Sequence, residues 1–484
     1  MISRPIRLLF LICFFIVNTA WNGQEITISP AAQFLGIAHG AHLRPTYEYG
    51  QEILDFNALT GKDIAVLMYF SDWESVDVES GSFFDFFLLK KIQERMGDQG
   101  PVIMISWQPL NGRKKLAGKP ACDRDYSGAI PLDDIINGHC DDYIRGFAQA
   151  LKSRPERFLL RFAHEMNITD SPWWPGHYGQ DASKYVQMWR HVHDLVESQN
   201  VTNVEWVWSP NYASNPGSSW NDLHNYYPGD IYVDWIGLSG YNWYSTRGVP
   251  WKTFQNLYHQ VLVDLTCRYA KPQIIAEVGT VEGEPTKSGW IIEMYNQVPD
   301  YPFLRLVSYF NDFAYGSSAS ADFRVTTGTE ESGHVAPLPQ GSGVWTEAYS
   351  QAISRGIYRS DLPALAAVTP PHVYCGEATP VFLLTPDSSL IEPGETSLHS
   401  LIGLLYSEVQ TVRLDLSQTP YFKDSFVSPA QLDTPWDIAS ITLIASASTP
   451  LGVYSIPVLV NSRELTIQVR VVSFVGKQYL PVIQ

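Results

Sequence analysis

The chain has 484 residues, of which 45% are hydrophobic and 17% are charged, a composition typical of a globular protein with a large core. Its formal net charge of -17 argues against binding to nucleic acid or to an anionic membrane surface, and fits a neutral partner best. Aromatic residues make up 13% of the chain, including 15 Trp and 26 Tyr. Their number is equally compatible with a large core and with rings on which sugar faces stack.

The amino terminus has the pattern of a secretory signal peptide. Arg4 and Arg7 precede an apolar run at residues 8–17, which is too short to span a bilayer. We therefore predict a signal peptide over residues 1–20 and a secreted protein, with an uncleaved anchor as the alternative. No later segment is long and apolar enough to cross a membrane.

The cysteines predict disulfides rather than a metal site. Loss of the signal peptide removes Cys13 and leaves Cys122, Cys140, Cys267 and Cys375, and an even count in an exported chain permits two disulfides. Cys122 and Cys140 flank a loop-like segment and are the pair that we expect. Their spacing does not match a zinc site, and we expect neither metal nor cofactor.

Eight short apolar runs recur in the first two thirds of the chain. They lie at residues 33–40, 63–73, 101–109, 157–167, 203–211, 234–243, 272–280 and 304–312. Segments with helical spacing separate them, most clearly residues 181–199, where Tyr185, Trp189, Val192 and Val196 recur at steps of three and four. Strands that alternate with helices are typical of parallel βαβ units.

Eight such units favour a closed (β/α)8 TIM barrel over residues 25–360. A doubly wound sheet is the rival, but no glycine-rich phosphate loop follows the first run. Residues 361–373 are rich in proline and alanine and predict a linker. Residues 374–484 carry short alternating runs separated by turn residues, which indicates a small all-β immunoglobulin-like sandwich. Without a row of exposed aromatics, a spacer is favoured over a carbohydrate-binding module.

Polar or aromatic side chains end several of the predicted strands. These residues are His39, Trp73, Gln108, Glu165, Asn211, Tyr241, Glu277 and Asn311. The carboxyl ends of barrel strands build the active site, and Glu165 and Glu277 end the fourth and seventh runs, which face each other across the mouth. One carboxyl of such a pair protonates a glycosidic oxygen while the other attacks the sugar or activates water. The pair predicts glycoside hydrolysis.

The motifs around these two glutamates resemble glycoside hydrolase family 26. RFAHEMN with a following WW, then WVWSPN, YYPGDIYVDWIGLSGYNW and IIAEVGT occur in that order. The resemblance covers residues 33–360 and implies a retaining barrel enzyme that acts on β-mannans, mixed-linkage β-glucans or β-xylans. It also implies that Glu165 is the acid/base and Glu277 the nucleophile.

Three further residues match the motifs of the family. Arg161 lies four residues before Glu165, and in a strand it would share that face and stabilise the Glu277 carboxylate, although an ordinary interior ion pair is equally compatible. By resemblance, His164 contacts the sugar or supports the acid/base. Tyr241 resembles the tyrosine whose hydroxyl steadies the nucleophile.

Seven more residues are candidates for binding the substrate. Trp173 and Trp174 lie in one loop, and two adjacent tryptophans do not bury easily together, so we expect at least one to line the cleft. The others are Trp107, Gln108, Trp208, Asn211 and Trp243, the tryptophans and Asn211 being equally compatible with core packing. Gln108 departs from the family, because mannan-cleaving relatives often carry a histidine there.

We therefore predict a secreted, monomeric endo-β-glycanase that hydrolyses β-1,4-mannan. The alternative within this class is a β-1,3-1,4-glucanase or related β-glucanase, which Gln108 favours. A non-catalytic polysaccharide-binding protein is the alternative from a different class. The presence of both Glu165 and Glu277 argues against it, because a binding protein needs neither.

Overall fold

The computed structural model describes residues 36–43, 50–73, 87–97, 100–111, 122–124, 126, 128–284, 286–301, 303–315, 320–326, 343–365, 381–385, 388–405, 410–433, 437–461 and 463–471. These residues belong to two compact units, one within Gly36–His372 and the other within Val373–Gln484. The predicted signal peptide and residues 366–373 of the predicted linker lie outside the described residues.

The first unit is a closed parallel barrel. Its strands are β1 (Ile37–Leu43), β2 (Val66–Asp72), β3 (Val102–Gln108), β4 (Phe158–Phe162), β5 (Val204–Trp208), β6 (Trp235–Asn242), β7 (Gln273–Thr280) and β8 (Leu304–Asn311). Each strand pairs in parallel with the next, and β8 pairs with β1 to close the sheet. The predicted (β/α)8 fold is confirmed.

Helices connect the barrel strands and cover the outer face of the sheet. They are α1 (Gln51–Thr60), α2 (Phe87–Met96), α3 (Leu132–Ile136), α4 (Asp141–Lys152), α5 (Ala182–Glu197), α6 (Phe254–Arg268), α7 (Lys287–Gln297) and α8 (Gly343–Ile353). The start of α5 follows from the sequence, because the Asp181 side chain accepts a hydrogen bond from the backbone N–H of Ser183. In the described part of the chain, no helix has the length and hydropathy that a membrane span requires.

The first strand differs from its prediction in a way that affects the site. The predicted run ended near His39, whereas β1 extends to Leu43 and places His39 in its middle. His39 is fully buried between the rings of Phe56 on α1 and Tyr349 on α8, so it faces the helices. Burial lowers the pKa of His39 to about 3. His39 is therefore a core residue, and the histidine of β1 that faces the barrel mouth is His42.

A β-bulge in β7 turns one of the glutamates inward. One residue of β7 between Ile275 and Glu277 has no counterpart in β6, and the ladder with β8 also skips a residue of β7 there. Before the bulge, Gln273 faces outward and donates to Thr266 Oγ1 of α6 at 2.8 Å. With regular alternation the side chain of Glu277 would also face outward. The extra residue reverses the alternation and directs that side chain into the barrel.

The barrel unit also contains one of the predicted disulfides. Cys122 and Cys140 are joined, as expected from the loop between them, and Cys267 is also disulfide-bonded. Beyond Ser360, the carbonyl oxygens of Leu362 and Pro363 accept hydrogen bonds from Arg157 Nη1 at 3.0 and 2.9 Å. The first residues of the predicted linker thus pack on the barrel.

The second unit is a β-sandwich. Its described strands are β9 (Val381–Thr385), β10 (Ser388–Ile391), β11 (Thr396–Leu405), β12 (Gln410–Leu414), β13 (Phe426–Ser428), β14 (Gln431–Leu432), β15 (Ile438–Ile444), β16 (Gly452–Val460) and β17 (Arg463–Val471). One sheet has the order β9-β11-β15-β13 and the other β10-β17-β16-β12-β14. Buried side chains such as Leu401, Ile441, Val458 and Val469 fill the core. The predicted sandwich is confirmed, with more strands than the sequence pattern indicated.

Candidate active site

A buried arginine occupies the axis of the barrel below its mouth. Arg161 of β4 is completely buried, and its Nη1 donates a hydrogen bond to Oε1 of Glu277. Its other donors bind three neutral hydroxyls: Ser209 Oγ at 2.9 Å, Ser106 Oγ at 3.0 Å and Ser239 Oγ at 2.5 Å. Because these three acceptors carry no charge, the carboxylate of Glu277 is the anionic hydrogen-bond partner of the guanidinium among the described residues.

The carboxylate of Glu277 is held from two sides. Arg161 binds Oε1, the hydroxyl of Tyr241 donates to Oε2, and Nε2 of His164 lies 4.0 Å from Oε1. Hydrogen bonds from a cation and from a phenol stabilise the ionised carboxylate, and they are strong where water is excluded. Glu277 is only 5% exposed. The side chain is therefore a rigidly held carboxylate.

The backbone that carries Glu165 is strained. Strand β4 ends at Phe162, and Ala163 and Glu165 then adopt φ angles of 44° and 55°. A non-glycine residue in this left-handed region costs roughly 1–3 kcal/mol and is concentrated at functional sites. The turn is held by the Glu165 N–H, which donates to Ser209 O at 2.8 Å, and by Ser171 Oγ, which donates to Glu165 O at 2.6 Å. The expectation that Arg161 and Glu165 share a strand face is wrong, because the strand stops between them.

The side chain of Glu165 has a different environment from that of Glu277. Its Oε1 accepts one hydrogen bond, from Asn211 Nδ2 at 2.9 Å. Asn211 is in turn fixed by Asn167, whose Oδ1 accepts from the Asn211 N–H at 2.8 Å and whose Nδ2 donates to the Asn211 carbonyl at 3.0 Å. Burial and the charge of Glu277 together raise the pKa of Glu165 to about 7. The protonated form of Glu165 is therefore favoured more than in an ordinary glutamate, while the partners of Glu277 are hydrogen-bond donors to a carboxylate.

His164 directly precedes Glu165 in sequence, and its Nε2 lies 4.0 Å from Oε1 of Glu277. Burial, with the charge of Arg161, holds its pKa well below the usual range, so the imidazole is neutral. Its carbonyl accepts from Trp173 Nε1 at 2.7 Å, and the two rings meet edge to face at 5.6 Å. Trp173 is 3% exposed, so it supports His164 from behind instead of lining the cleft. Nδ1 of His164 has no hydrogen-bond partner in the described part of the chain.

Trp174 is the half-buried member of the adjacent tryptophan pair. Its Nε1 donates to Asn221 Oδ1 at 2.9 Å, which fixes the plane of the ring. A Cβ at Gly176 would come within 2.2 Å of that ring, so only glycine fits beneath it. Trp220 lies 5.5 Å from Trp174 and is also half-buried. Trp220 was not predicted, although its position in the loop after the fifth apolar run was an available signal.

Trp107 and Trp208 were predicted in the cleft and lie in the core instead. Both are fully buried between the barrel wall and the helices, and Trp107 stacks on Phe147 of α4 at 4.1 Å. The reason is strand alternation. Since Ser106 faces the barrel axis, Trp107 must face outward, and Gln108 returns to the inner face. Gln108 is half-buried at the mouth, and its contact with substrate stays a prediction.

Trp243 lies at the rim, next to the pocket that holds the Glu277 carboxylate. Its ring lies 5.4 Å from that of Tyr241, and the guanidinium of Arg247 lies 3.7 Å from its ring centroid. Trp243 is half-buried. One face of this ring is therefore occupied by a cation–π contact.

His42 and Asp312 add a polar group to the mouth that the sequence patterns did not single out. His42 Nδ1 lies 2.9 Å from Met68 O, and its Nε2 lies 3.5 Å from Asp312 Oδ2. The imidazole stacks on Phe310 at 4.7 Å and meets Phe70 edge to face at 5.2 Å. Correct placement of the end of β1 was the signal that would have found His42. Among the described residues, no group of three His, Cys, Asp or Glu side chains is placed to hold a metal ion.

Comparisons with known proteins find one matching family model and several similar proteins. Residues 131–317, which include both glutamates, match the family model of Glycosyl hydrolase family 26. The chain is 30% identical over 253 residues to Endoglucanase H of Acetivibrio thermocellus, covering 51% of this chain and 24% of that protein. It is 31% identical over 109 residues to Beta-1,3-xylanase TXYA of a Vibrio species, covering 22% of each chain.

The chain thus spans about a quarter of the length of these curated relatives. Among solved structures, a double mutant of the Cellulomonas fimi endo-beta-1,4-mannanase is 16% identical, with 90% of this chain and 94% of that chain covered at a TM-score of 0.47. The family match contains the motifs on which the site is built. Residues 131–317 of the barrel are therefore similar to glycosyl hydrolase family 26.

Proposed function

We propose that the barrel is a retaining endo-β-glycanase in which Glu277 is the nucleophile and Glu165 the acid/base. The observation that carries this proposal is the contrast between the buried Glu277 and the half-buried Glu165. Glu277 is bound by Arg161 and Tyr241, whereas the pKa of Glu165 is raised to about 7. A double displacement needs one ionised and one protonated carboxyl at the start of the cycle.

In the first step, an oxygen of Glu277 attacks the anomeric carbon while the carboxyl of Glu165 donates its proton to the glycosidic oxygen, which leaves with the aglycone. As the negative charge of Glu277 passes into the new covalent bond, Arg161 keeps the acylal oxygen oriented through its fixed hydrogen bonds. The three serines around Arg161 prevent the guanidinium from moving during this change.

In the second step, Glu165 is ionised and accepts a proton from water, which attacks the same carbon and releases Glu277. Loss of the Glu277 negative charge in the intermediate lowers the pKa of Glu165, since that charge is one cause of its elevation. Asn211 supports the ionised form by donating to Oε1 at 2.9 Å. One residue can therefore act as acid and then as base.

Rescue by azide tests the assignment of roles. In Glu165→Ala, an activated aryl glycoside still forms the glycosyl-enzyme, and azide that enters the vacated space gives a β-glycosyl azide because two inversions retain configuration. In Glu277→Ala, azide attacks directly and gives the α product. An α-azide from Glu165→Ala would show that the two roles are reversed. Full activity of either variant would exclude the pair.

The substrate that we propose first is β-1,4-mannan, as the sequence motifs predicted. A β-1,3-1,4-glucan is the second candidate, and two observations favour it. Gln108 stands at the mouth where mannan-cleaving relatives often carry histidine, and the relative matched over 253 residues is named an endoglucanase. Sugar epimers differ in the direction of a hydroxyl, and a site that hydrogen-bonds one epimer rejects the other by orders of magnitude.

A panel of soluble polymers decides between these substrates. Glucomannan, galactomannan, barley-type β-glucan and β-1,3-xylan are compared by kcat/KM with the wild type and with Gln108→His. Preference for the mannans supports the first candidate. Preference for β-glucan in the wild type, reduced in Gln108→His, supports the second. A protein that binds these polymers without releasing reducing ends would instead be a binding protein.

We also propose that the chain is exported. The predicted signal peptide and the disulfide between Cys122 and Cys140 support this, since such bonds persist in oxidising compartments. Mass analysis of the mature protein should give an amino terminus near Trp21. A mature protein that retains Met1, with Cys122 and Cys140 modified by a thiol reagent without denaturant, would contradict export.

A further inference from the structure

Residues 321–326, which we call the strap, cross the mouth of the barrel after β8. Three residues form hydrogen bonds with the strap, two of them in β8 and one directly after it. Asn311 Oδ1 accepts from the Val325 N–H at 2.7 Å, Tyr309 OH donates to the Phe323 carbonyl at 3.0 Å, and the Phe323 N–H donates to the Asp312 carbonyl at 3.2 Å. Backbone hydrogen bonds of this number fix the position of the segment.

A buried lysine attaches the strap to a second element. Lys287, at the start of α7, is fully buried and donates from Nζ to the Asp322 carbonyl at 3.0 Å. Its ammonium also lies 4.2 Å from the ring centroid of Trp345 on α8. Burial lowers the pKa of Lys287 to about 7. Helix α7 directly follows β7, the strand of Glu277, so the strap is tied to the connection that follows the nucleophile.

The strap places one aromatic ring against the nucleophile pocket. Phe323 is fully buried, and its ring lies 4.8 Å from that of Tyr241 and 5.0 Å from that of Trp243. The ring also packs closely on β7, because a Cβ at Gly279 would lie 3.0 Å from it. The hydroxyl of Tyr241 donates a hydrogen bond to Glu277. Packing against the Tyr241 ring therefore determines the direction in which that hydroxyl points.

We propose that Phe323 is a positioning residue that holds Tyr241 in the orientation from which it donates to Glu277. The proposal rests on the proposed function, in which Glu277 is the nucleophile. A cavity beside Tyr241 gives its ring room to tilt, and the hydroxyl then leaves Oε2. The Glu277 carboxylate then loses a hydrogen-bond donor and is no longer oriented toward the anomeric carbon. Sugar binding elsewhere in the cleft is unchanged.

The test compares kcat and KM of Phe323→Leu and of the wild type. The substrate is an activated aryl β-glycoside of an oligosaccharide from the preferred polymer. We expect kcat to fall roughly tenfold with KM within a factor of two, because misplacement by a fraction of an ångström slows chemistry more than binding. A loss confined to kcat is the result that a merely structural role of Phe323 would not give.

Two further variants separate positioning from folding. Phe147→Leu truncates a buried ring of α4 that packs on Trp107 behind the barrel wall, and it should reduce stability with kcat and KM unchanged. Lys287→Met leaves Phe323 in place but removes an anchor of the strap, and it should lower kcat by less than Phe323→Leu does, again with KM unchanged. If Phe323→Leu shows wild-type kcat, or only changes that Phe147→Leu shares, the proposal is overturned.

The Glu277→Ala variant distinguishes this failure from failure of the proposed function. An inactive Glu277→Ala together with an unaffected Phe323→Leu refutes the role of Phe323 alone. An active Glu277→Ala refutes both.

Discussion

The two glutamates of the mouth differ in how the fold holds them. Glu277 lies within a strand, directly after a bulge, and its two oxygens are bound by the buried Arg161 and the half-buried Tyr241. Glu165 lies after a strand has ended, on a left-handed backbone, with a single amide on its carboxyl. A nucleophile must keep its charge and its aim, whereas an acid/base must change its charge twice in each cycle. The rigid environment of Glu277 fits the first requirement. The environment of Glu165, with its single hydrogen bond, fits the second.

A second contrast separates the inner and outer faces of the same strands. Ser106 binds Arg161 inside the barrel, while the next residue, Trp107, packs against helix α4 outside it. Residue type does not distinguish the two faces, because tryptophans occur at both the rim and the wall. The strand face on which a side chain lies therefore decides whether it belongs to the site or to the core. The predictions below test this contrast together with the contrast between the two glutamates.

The largest effect is expected from removal of the nucleophile. Glu277→Ala should reduce kcat on every polymer and on aryl glycosides by a factor on the order of 10⁴ or more, since no covalent step remains. Glu165→Ala should lose as much on polymers but far less on aryl glycosides with good leaving groups, which need little protonation. Steady-state kinetics on both substrate types measures the difference. Equal losses on all substrates in both variants would remove the distinction between the roles.

Arg161→Lys should give the next largest loss. Lysine keeps the charge but lacks the planar fork that binds Glu277 and three serines at once, and kcat should fall by about 10²-fold. Ser106→Ala is the matched control, because it removes one neutral acceptor and should cost less than about tenfold. A Lys variant as active as the Ser106 variant would show that the charge alone suffices.

Asn211→Ala should move one limb of the pH profile. Asn211 hydrogen-bonds the ionised form of Glu165 and so lowers a pKa that burial has raised to about 7. Its removal raises that pKa further, and because the acid must be protonated, the alkaline limb of kcat/KM should move to higher pH, by up to about one unit. Asn203→Ala is the control, since this amide binds backbone carbonyls at the other end of the barrel. A downward shift of the limb would contradict the assignment.

The smallest catalytic effect is expected from a substitution of Trp107, on the outer face of the barrel. Trp107→Phe should lower the free energy of unfolding by about 1–3 kcal/mol through lost packing, with kcat and KM almost unchanged. Trp174→Ala, at the half-buried rim, should raise KM for long oligosaccharides by several-fold with little loss of stability. Denaturant titration and kinetics on both variants measure the contrast. A raised KM in Trp107→Phe would place substrate contacts where the structure has core.

Much of this fold is local in origin. Apolar runs that are buried on both faces, separated by segments of helical period, indicate a parallel barrel, because strand and helix periods depend only on neighbouring residues. The helix at residues 182–197 and its cap at Asp181 illustrate this. The glutamate pair was found in the same way, from its position after the fourth apolar run and in the seventh.

The sequence by itself determined the barrel, the sandwich and the Cys122–Cys140 pair, and it predicted the two glutamates, since these follow from periodicity, spacing and motif. Only the tertiary structure decided which way each side chain faces. The bulge in β7 reverses the phase before Glu277, the left-handed turn after Phe162 redirects Glu165, and the true end of β1 exchanges His39 for His42. Each of these is a shift of one or a few residues that pairing with neighbouring strands imposes, and in a strand a shift of one residue turns a side chain from the core to the site.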